Sequence, residues 1–359
     1  MVQKRHSGKK KIKVGVSIGD YNGVGLEVII KSFLDSRMME GCTPIVYGST
    51  SLAKDYRKAL NIQDFSFNFI SDAAKANSKK VNLVTVWEEK NELTLGESTG
   101  DAGRCAFLSL EAATNDLASN KIDVLVTAPI NKNNIQSDEF DFPGHTEYLA
   151  DYANVETPLM ILSAGDLRVG TITGHIPLKE VSENLYHDEI VTKIEIFEKS
   201  LKQDFRITKP RIAILGLNPH NGDNGTIGSE ESEVIIPAVE EAMSKGILAF
   251  GPFPADGFFG SPAYKKFDGI LSMYHDQGLT PFKALSFDEG VNFTAGLPIV
   301  RTSPDHGTGY DIAGKGIASE TSFRNAVYLA IDIYNNRKDF KKLSESPLVT
   351  KKARTSKND

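Results

Sequence analysis

Apolar and polar positions alternate over residues 12–18 with the period of two that a half-buried strand requires, and the run closes in a glycine-rich turn, Gly19-Asp20-Tyr21-Asn22-Gly23-Val24-Gly25. An apolar-rich stretch over 26–34 follows as a helix. The exchange of strand for helix then recurs: strands at 44–48, 81–87 and 124–127 alternate with helices at 51–60 and 100–118. In the last of these helices Cys105, Leu108, Leu110, Ala113 and Leu117 fall at helical spacing. Further short apolar runs at 168–173, 212–217 and 269–274 continue the series. Such alternation predicts an α/β chain built on a largely parallel sheet with helices on its faces. No internal repeat or low-complexity tract interrupts it.

Ligands of an open α/β sheet gather beyond the carboxyl ends of the strands. Three of the predicted strands deliver a histidine there: His175, His220 and His275. Imidazole is the commonest metal ligand, and three imidazoles without a thiolate describe a catalytic site with open positions. Zinc, cobalt, iron, manganese and magnesium all remain candidates. Strand-end histidines that bond turn backbones are the competing reading. Asn131 and Lys132 follow the strand 124–127 and fall either at a site edge or in a solvated loop. His145-Thr146, at the start of a predicted helix, offers a donor and a hydroxyl where an anion is favoured, or a simple helix cap. His6 and His187 stand in polar surroundings and read as surface residues.

The stretch 273–316 is the densest in chemistry. It contains Met273-Tyr274-His275-Asp276-Gln277-Gly278, Lys283, Asn292 and Arg301, and then Asp305-His306-Gly307-Thr308-Gly309-Tyr310-Asp311-Ile312-Ala313-Gly314-Lys315-Gly316. Lys and Arg supply fixed positive charge, Arg as a fork matched to phosphate or carboxylate oxygens, and glycines allow close backbone approach. Together these residue types suggest an anionic small molecule, a metal and a nucleotide. The opening turn at Gly19 lacks the GxGxxG spacing of a dinucleotide fingerprint, so a phosphate cradle and an ordinary tight turn both stay open there.

Composition narrows the setting. A chain of 359 residues, 40% hydrophobic, can bury a core for two domains. Its net charge of −6 argues against nucleic acid as a partner, and requires the cations that hold an anionic ligand to be concentrated locally. The two cysteines, Cys42 and Cys105, are not spaced as a metal or redox pair and read as apolar filler in a reducing, cytoplasmic compartment. No signal-peptide pattern and no run of about 20 apolar residues is present, so no membrane partner is expected. The basic stretches 1–11 and 341–359 are expected to be flexible tails.

Six ordered motifs carry a resemblance: Pro143-Gly144-His145-Thr146-Glu147, Gly174-His175-Ile176-Pro177-Leu178, Leu217-Asn218-Pro219-His220, Pro254-Ala255-Asp256, Met273 to Gly278, and Gly296-Leu297-Pro298-Ile299-Val300-Arg301-Thr302-Ser303. From residue 12 to about 335 the chain resembles the 4-hydroxythreonine-4-phosphate dehydrogenase family. The resemblance implies a two-domain α/β/α fold of the isocitrate/isopropylmalate dehydrogenase-like kind. It implies NAD- or NADP-dependent oxidation of a phosphorylated hydroxy amino acid, decarboxylation to 3-amino-1-hydroxyacetone phosphate, and a homodimer that shares its active site. It assigns the metal to His175, His220 and His275, and the substrate to His145, Thr146, Lys283, Asn292 and Arg301. Asp256 and Asp276 match carboxylates that keep the site intact, and Lys283 joins them as a catalytic candidate. The 305–316 loop resembles the adenosine loop of the distantly similar isocitrate and isopropylmalate dehydrogenases, which implies cofactor contacts from His306, Gly307 and Asp311.

The expected domains are 12–140 with 300–340, carrying the cofactor loop, and 141–299, carrying the metal and substrate residues. Two departures from the family pattern, the Gly19–Gly23 turn and the acidic Asp288-Glu289, leave 4-phosphoerythronate and phosphothreonate open as substrates. A metal-dependent phospho-metabolite lyase or transferase, and a protein that only binds such a metabolite, are the rival readings.

Overall fold

A computed structural model describes residues 11–345. In chain order its strands and helices are β1 (Ile12–Ser17), α1 (Gly25–Leu34), α2 (Met38–Gly41), β2 (Cys42–Gly48), α3 (Thr50–Ala59), β3 (Asn68–Ile70), β4 (Asn82–Thr85), α4 (Gly100–Ala118), β5 (Val124–Thr127) and α5 (His145–Tyr152). There follow β6 (Leu159–Ala164), β7 (Leu167–Thr171), α6 (His187–Gln203), β8 (Arg211–Leu215), α7 (Ile236–Ser244), β9 (Leu248–Phe253), α8 (Ala255–Phe259), β10 (Gly269–Ser272), α9 (His275–Leu285), β11 (Val291–Ala295), β12 (Arg301–Pro304) and α10 (Thr321–Glu345).

All twelve strands join one sheet in the order β3-β4-β2-β1-β5-β12-β11-β6-β7-β10-β8-β9. The six from β3 to β12 run parallel, as do β7, β10, β8 and β9. Between these blocks β11 and β6 pair antiparallel with their neighbours. This central reversal departs from the uninterrupted β-α-β series that apolar periodicity predicts. Its local cause is the turn Gly165-Asp166, where Gly165 takes a φ of 54° and folds β6 straight back into β7.

Side chains on successive strand residues leave on opposite faces, and both faces are covered. Val124 and Val126 of β5 enter one apolar cluster with residues of α1 and α10, while Leu125 enters another with residues of α4 and α5. In the second block Ile212 and Ile214 of β8 pack with α6 and α7, and Ala213 and Leu215 with α8 and α9. The result is the expected α/β/α layering. Tyr148 and Leu149 of α5 pack with Phe107 and Phe140, which places this helix against the first block of strands.

Of the expected flexible tails, 1–10 and 346–359 lie outside the described residues. Lys11 is fixed by hydrogen bonds to the carbonyls of Met39 (2.5 Å) and Ser78 (3.0 Å), and 341–345 are the last residues of α10 rather than tail. His187 opens α6, and its Nδ1 stands 2.8 Å from Asp188. Cys42 and Cys105 are free and buried, and burial pushes both thiols up, Cys42 to about 12 and Cys105 to about 11. Neither is a nucleophile at neutral pH. Among the described residues no helix is long and apolar enough to cross a membrane.

Candidate active site

Where the two parallel blocks meet, a cleft of about 250 Å³ opens, lined in part by Thr127, Lys132, His175, His275, Asn292 and Arg301. Arg301 is its fixed charge. The residue is 3% exposed, and register decides its surroundings: β12 runs parallel beside β5 with Arg301 opposite Leu125. Its Nε and one terminal nitrogen donate to Thr127 Oγ1 at 3.1 and 2.7 Å, and the other donates to Thr294 Oγ1 at 3.3 Å. No carboxylate pairs with it among the described residues. Burial lowers its guanidinium to about 10, against a smaller opposing pull from Glu147, so it stays charged at neutral pH. A cation taken out of water costs several kcal/mol unless an opposite charge compensates.

Around Arg301 stand polar groups with unmet hydrogen-bonding capacity. His145 opens α5, and its Nε2 is buried without a partner. Burial, reinforced by the charges of Arg301 and Lys132, holds this imidazole well below its ordinary 6.5, hence neutral. Asn292 Oδ1, on β11, is likewise buried and unpaired. Thr146 does not cap its helix, because the cap position is Gly144; its hydroxyl lies 3.5 Å from that of Thr294. Lys283 stands on the cleft wall, with Nζ 3.4 Å from both Oδ1 and the carbonyl of Asp305. Burial raises the Asp305 carboxyl, and Lys283 opposes that rise.

Two of the three strand-end imidazoles come together. His175 follows β7, His275 opens α9, and their ring centroids are 5.6 Å apart. Asp276 Oδ1 meets His275 Nδ1 at 2.7 Å, so this carboxylate acts on ring orientation. Gln277 ties the strand ends beneath: its Oε1 accepts from the Met273 amide (2.8 Å), and its Nε2 donates to the Gly216 carbonyl (2.6 Å). Gly278 must be glycine for α9 to sit this close, since a Cβ there would lie 2.4 Å from Ser272 Oγ. Lys132 Nζ reaches His175 Nε2 at 3.3 Å, which places this exposed side chain at the edge of the cleft.

His220 does not complete a trio within this chain. It is exposed and belongs to a left-handed turn, His220-Asn221-Gly222-Asp223-Asn224, with φ between 42° and 75°. Left-handed backbone costs roughly 1–2 kcal/mol per non-glycine residue. The turn is held by Asn221 Nδ2 on the Pro252 carbonyl (2.8 Å) and by the Asn218 amide on Glu231 (2.6 Å). Among the described residues no three His, Cys, Asp or Glu side chains converge as a metal site requires. The expectation that strand ends of one chain bring His175, His220 and His275 together is corrected to a pair. Asp256 lies exposed on α8, outside the cleft wall.

A second groove, of about 400 Å³, continues from the cleft through the shared residues Lys283, Asp305, His306 and Gly307, with Val24, Val28 and Ile312 as apolar wall. His306 Nδ1 lies 3.0 Å from the Gly307 carbonyl, and its Nε2 is buried and unpaired. Asp311 is exposed and does not line the groove. Sequence reasoning overlooked Thr127, Thr294 and the buried Asp20. Each is an unremarked polar residue in or after an apolar strand, and only strand pairing shows what it faces.

The family model described as pyridoxal phosphate biosynthetic protein PdxA matches residues 40–330. A 4-hydroxythreonine-4-phosphate dehydrogenase of Bacteroides thetaiotaomicron is 51% identical over 341 residues, covering 95% of this chain and 93% of its own. The crystal structure of 4-hydroxythreonine-4-phosphate dehydrogenase from Klebsiella pneumoniae superposes with a TM-score of 0.77 at 34% identity, covering 92% of this chain and 99% of that one. At the level of fold alone, isocitrate dehydrogenase of Methylococcus capsulatus matches with a TM-score of 0.50 and 12% identity, over 93% of this chain and 89% of that one. The chain therefore belongs to the PdxA family and is a dehydrogenase, an oxidoreductase whose chemistry requires a nicotinamide cofactor.

Proposed function

We propose that this dehydrogenase oxidises 4-phosphooxy-L-threonine with NAD or NADP, and that the resulting β-keto acid loses carbon dioxide to give 3-amino-1-hydroxyacetone phosphate. The observation that carries the reading is Arg301, a guanidinium 3% exposed with no ion-pair partner among the described residues, in a cleft where Thr127, Thr146, His145 and Asn292 stand beside the cations Lys132 and Lys283. Such a corner is built for an anionic group of the substrate. Arg301 receives the anion and Thr127 and Thr294 hold the guanidinium plane in place. His145, Asn292 and Thr146 bond the oxygens that remain. Lys283, between the cleft and the groove, balances charge where substrate and cofactor meet.

His306 and Gly307 of the groove would hold the nicotinamide dinucleotide, whereas Asp311, exposed outside the groove wall, is not placed to join them. When bound, the dinucleotide accepts the hydride from the substrate's hydroxyl-bearing carbon, and the protein's task is to orient the two. His175 and His275 are donors suited to a divalent zinc, cobalt, iron, manganese or magnesium ion. Two imidazoles fall short of the three protein ligands that catalytic sites of this type use. In our reading His220 from a second copy supplies the third, which makes the enzyme a homodimer with a shared site. A divalent cation there polarises the substrate's oxygen. Asp276 orients His275. We further assign 12–140 with 300–340 to one domain and 141–299 to the other, the cleft lying between them.

The test is turnover followed by nicotinamide absorbance, with NAD and NADP, divalent metal, and a panel of 4-phosphooxy-L-threonine, 4-phosphoerythronate and phosphothreonate. Reduction with the first substrate, with release of carbon dioxide, is expected. Preference for another member of the panel would move the substrate assignment, and absence of reduction with all three would end it.

A further inference from the structure

The segment between β12 and α10, residues 305–320, supplies His306, Gly307, Gly309 and Ile312 to the groove wall yet contains no helix or strand. A loop of that length loses much conformational entropy on adopting one shape. What fixes it is the first unit of the chain, β1, the Gly19–Gly25 turn and α1. Near the start of the loop, the Val24 amide donates to the Thr308 carbonyl at 2.8 Å. Gly23 lies so close beneath that a Cβ there would sit 2.5 Å from the same carbonyl oxygen. Asp20, fully buried, accepts from the Tyr310 hydroxyl at 2.7 Å, and its carboxylate is held by Asn134 Nδ2 (2.7 Å) and the Asn22 amide (2.9 Å).

At the far end a second buried carboxylate repeats the arrangement. Glu27 Oε1 accepts from the Ala318 amide at 3.0 Å, and Lys31 on the same helix donates to the carbonyls of Gly316, at 3.2 Å, and Ala318. Glu27 is fully buried; its Oε1 also stands 3.8 Å from Lys31 Nζ, and its other oxygen has no hydrogen-bond partner, so the Ala318 amide and Lys31 together hold a carboxylate that is costly to bury. Between the two tethers, Val24, just before α1, and Val28 of α1 form part of the groove wall itself.

We infer that Asp20, acting through Tyr310, and Glu27, acting through Ala318, are positioning residues that preset the 305–320 loop for the dinucleotide. The glycine-rich turn is thus a dock for protein backbone, not a cradle for phosphate. The inference rests on the reading that this groove takes the cofactor. A binding-competent loop populated only in part raises the apparent dissociation constant in inverse proportion to that population, and leaves the bound complex unchanged. The effect therefore belongs to cofactor affinity and not to the chemical step.

The test uses the full-length enzyme and three variants. Tyr310→Phe deletes one hydroxyl and keeps the ring. Glu27→Ala removes the second tether, and Glu27→Gln keeps an acceptor for the Ala318 amide. Expected for Tyr310→Phe and Glu27→Ala is a rise in KM for NAD of about tenfold, equivalent to ~1.4 kcal/mol. The kcat at saturating NAD and the KM for the phosphorylated substrate stay within about twofold, the amides of 306–318 exchange hydrogen faster, and Glu27→Gln stays close to the parent. Faster exchange or a lower Tm with an unchanged KM for NAD would make the contacts structural only and overturn the inference. His306→Ala, which alters the groove wall, tests the underlying reading separately. If it leaves NAD affinity untouched, the groove is not the cofactor site and both ideas fall. If it weakens NAD while Tyr310→Phe and Glu27→Ala do not, the groove stands and the tethers fall.

Discussion

The Arg301 corner and the imidazole corner share one cleft, and they differ in how far the chain's own groups hold their central side chains. Around Arg301 every neighbour comes from sheet strands or from the first turn of α5, and the guanidinium is held by two hydroxyls whose positions β-pairing dictates. Around His175 and His275 the polar contacts are Asp276, 2.7 Å from His275 Nδ1, and the exposed Lys132, 3.3 Å from His175 Nε2, while His220 stands exposed on a left-handed turn. A buried cation must be solvated by its own chain before any ligand arrives, or the fold would not tolerate it. An exposed imidazole pays no such penalty. It can wait for a ligand, or for another copy of the chain, without cost to stability.

The largest expected effect lies on the Arg301 corner. Arg301→Met should lower kcat/KM by about a thousandfold, near 4 kcal/mol, because the substrate's anion is then desolvated without a partner. Initial rates of nicotinamide reduction measure it, and a loss of less than tenfold would remove Arg301 from the site. On the imidazole corner, His220→Ala and His275→Ala should each cost about a hundredfold together with bound metal, by elemental analysis. Mixed after reversible dissociation, these two inactive variants should regain about a quarter of the parent activity, since half of the dimers are mixed and each holds one intact site. Arg301→Met mixed with His275→Ala should regain nothing, because both lesions fall in the same chain's share. Restoration in the second mixture, or failure in the first, would contradict the division between the corners.

Thr127→Val should act more gently, about tenfold in kcat/KM, by freeing Arg301 from two of its three hydrogen bonds without removing the charge. The smallest effect concerns pH. The folded-state pKa of His145 lies well below 6.5, so below that pH the unfolded chain binds a proton that the folded chain refuses. Stability from this group is complete above 6.5 and declines as pH falls through it, by about 1 kcal/mol near pH 5.5. Urea unfolding of the parent and of His145→Asn at several pH values should show a shallower acid-side loss in the variant.

Periodicity made most of the parallel blocks legible, because β1, β2, β4, β5, β7, β8 and β10 are short apolar runs bounded by glycine, proline or polar residues, whereas β3, β9 and β12 carry no such signal and were missed. The central β11 and β6 were not legible: antiparallel pairing is set by the Gly165 turn and by long-range register, neither of which apolar spacing records. In the site, charge density and glycine content marked the 273–316 stretch, and Arg301, His275, Asn292 and Lys283 line the cleft as that density suggested. His220 is quoted in a motif as clear as the others, yet a left-handed backbone cannot be read from residue types alone. Asp20 was passed over inside a turn because its partner, Tyr310, is 290 residues away.

The sheet runs unbroken beneath the cleft, from β5 through β12 and β11 to β6. The floor on which a ligand lands is therefore stitched by backbone hydrogen bonds, and the two blocks cannot swing apart like covers of a book without tearing that stitching. Any grasp of the ligand has to come from the rim, from the stretches around Lys132, His145 and His306, while the ground under it stays still.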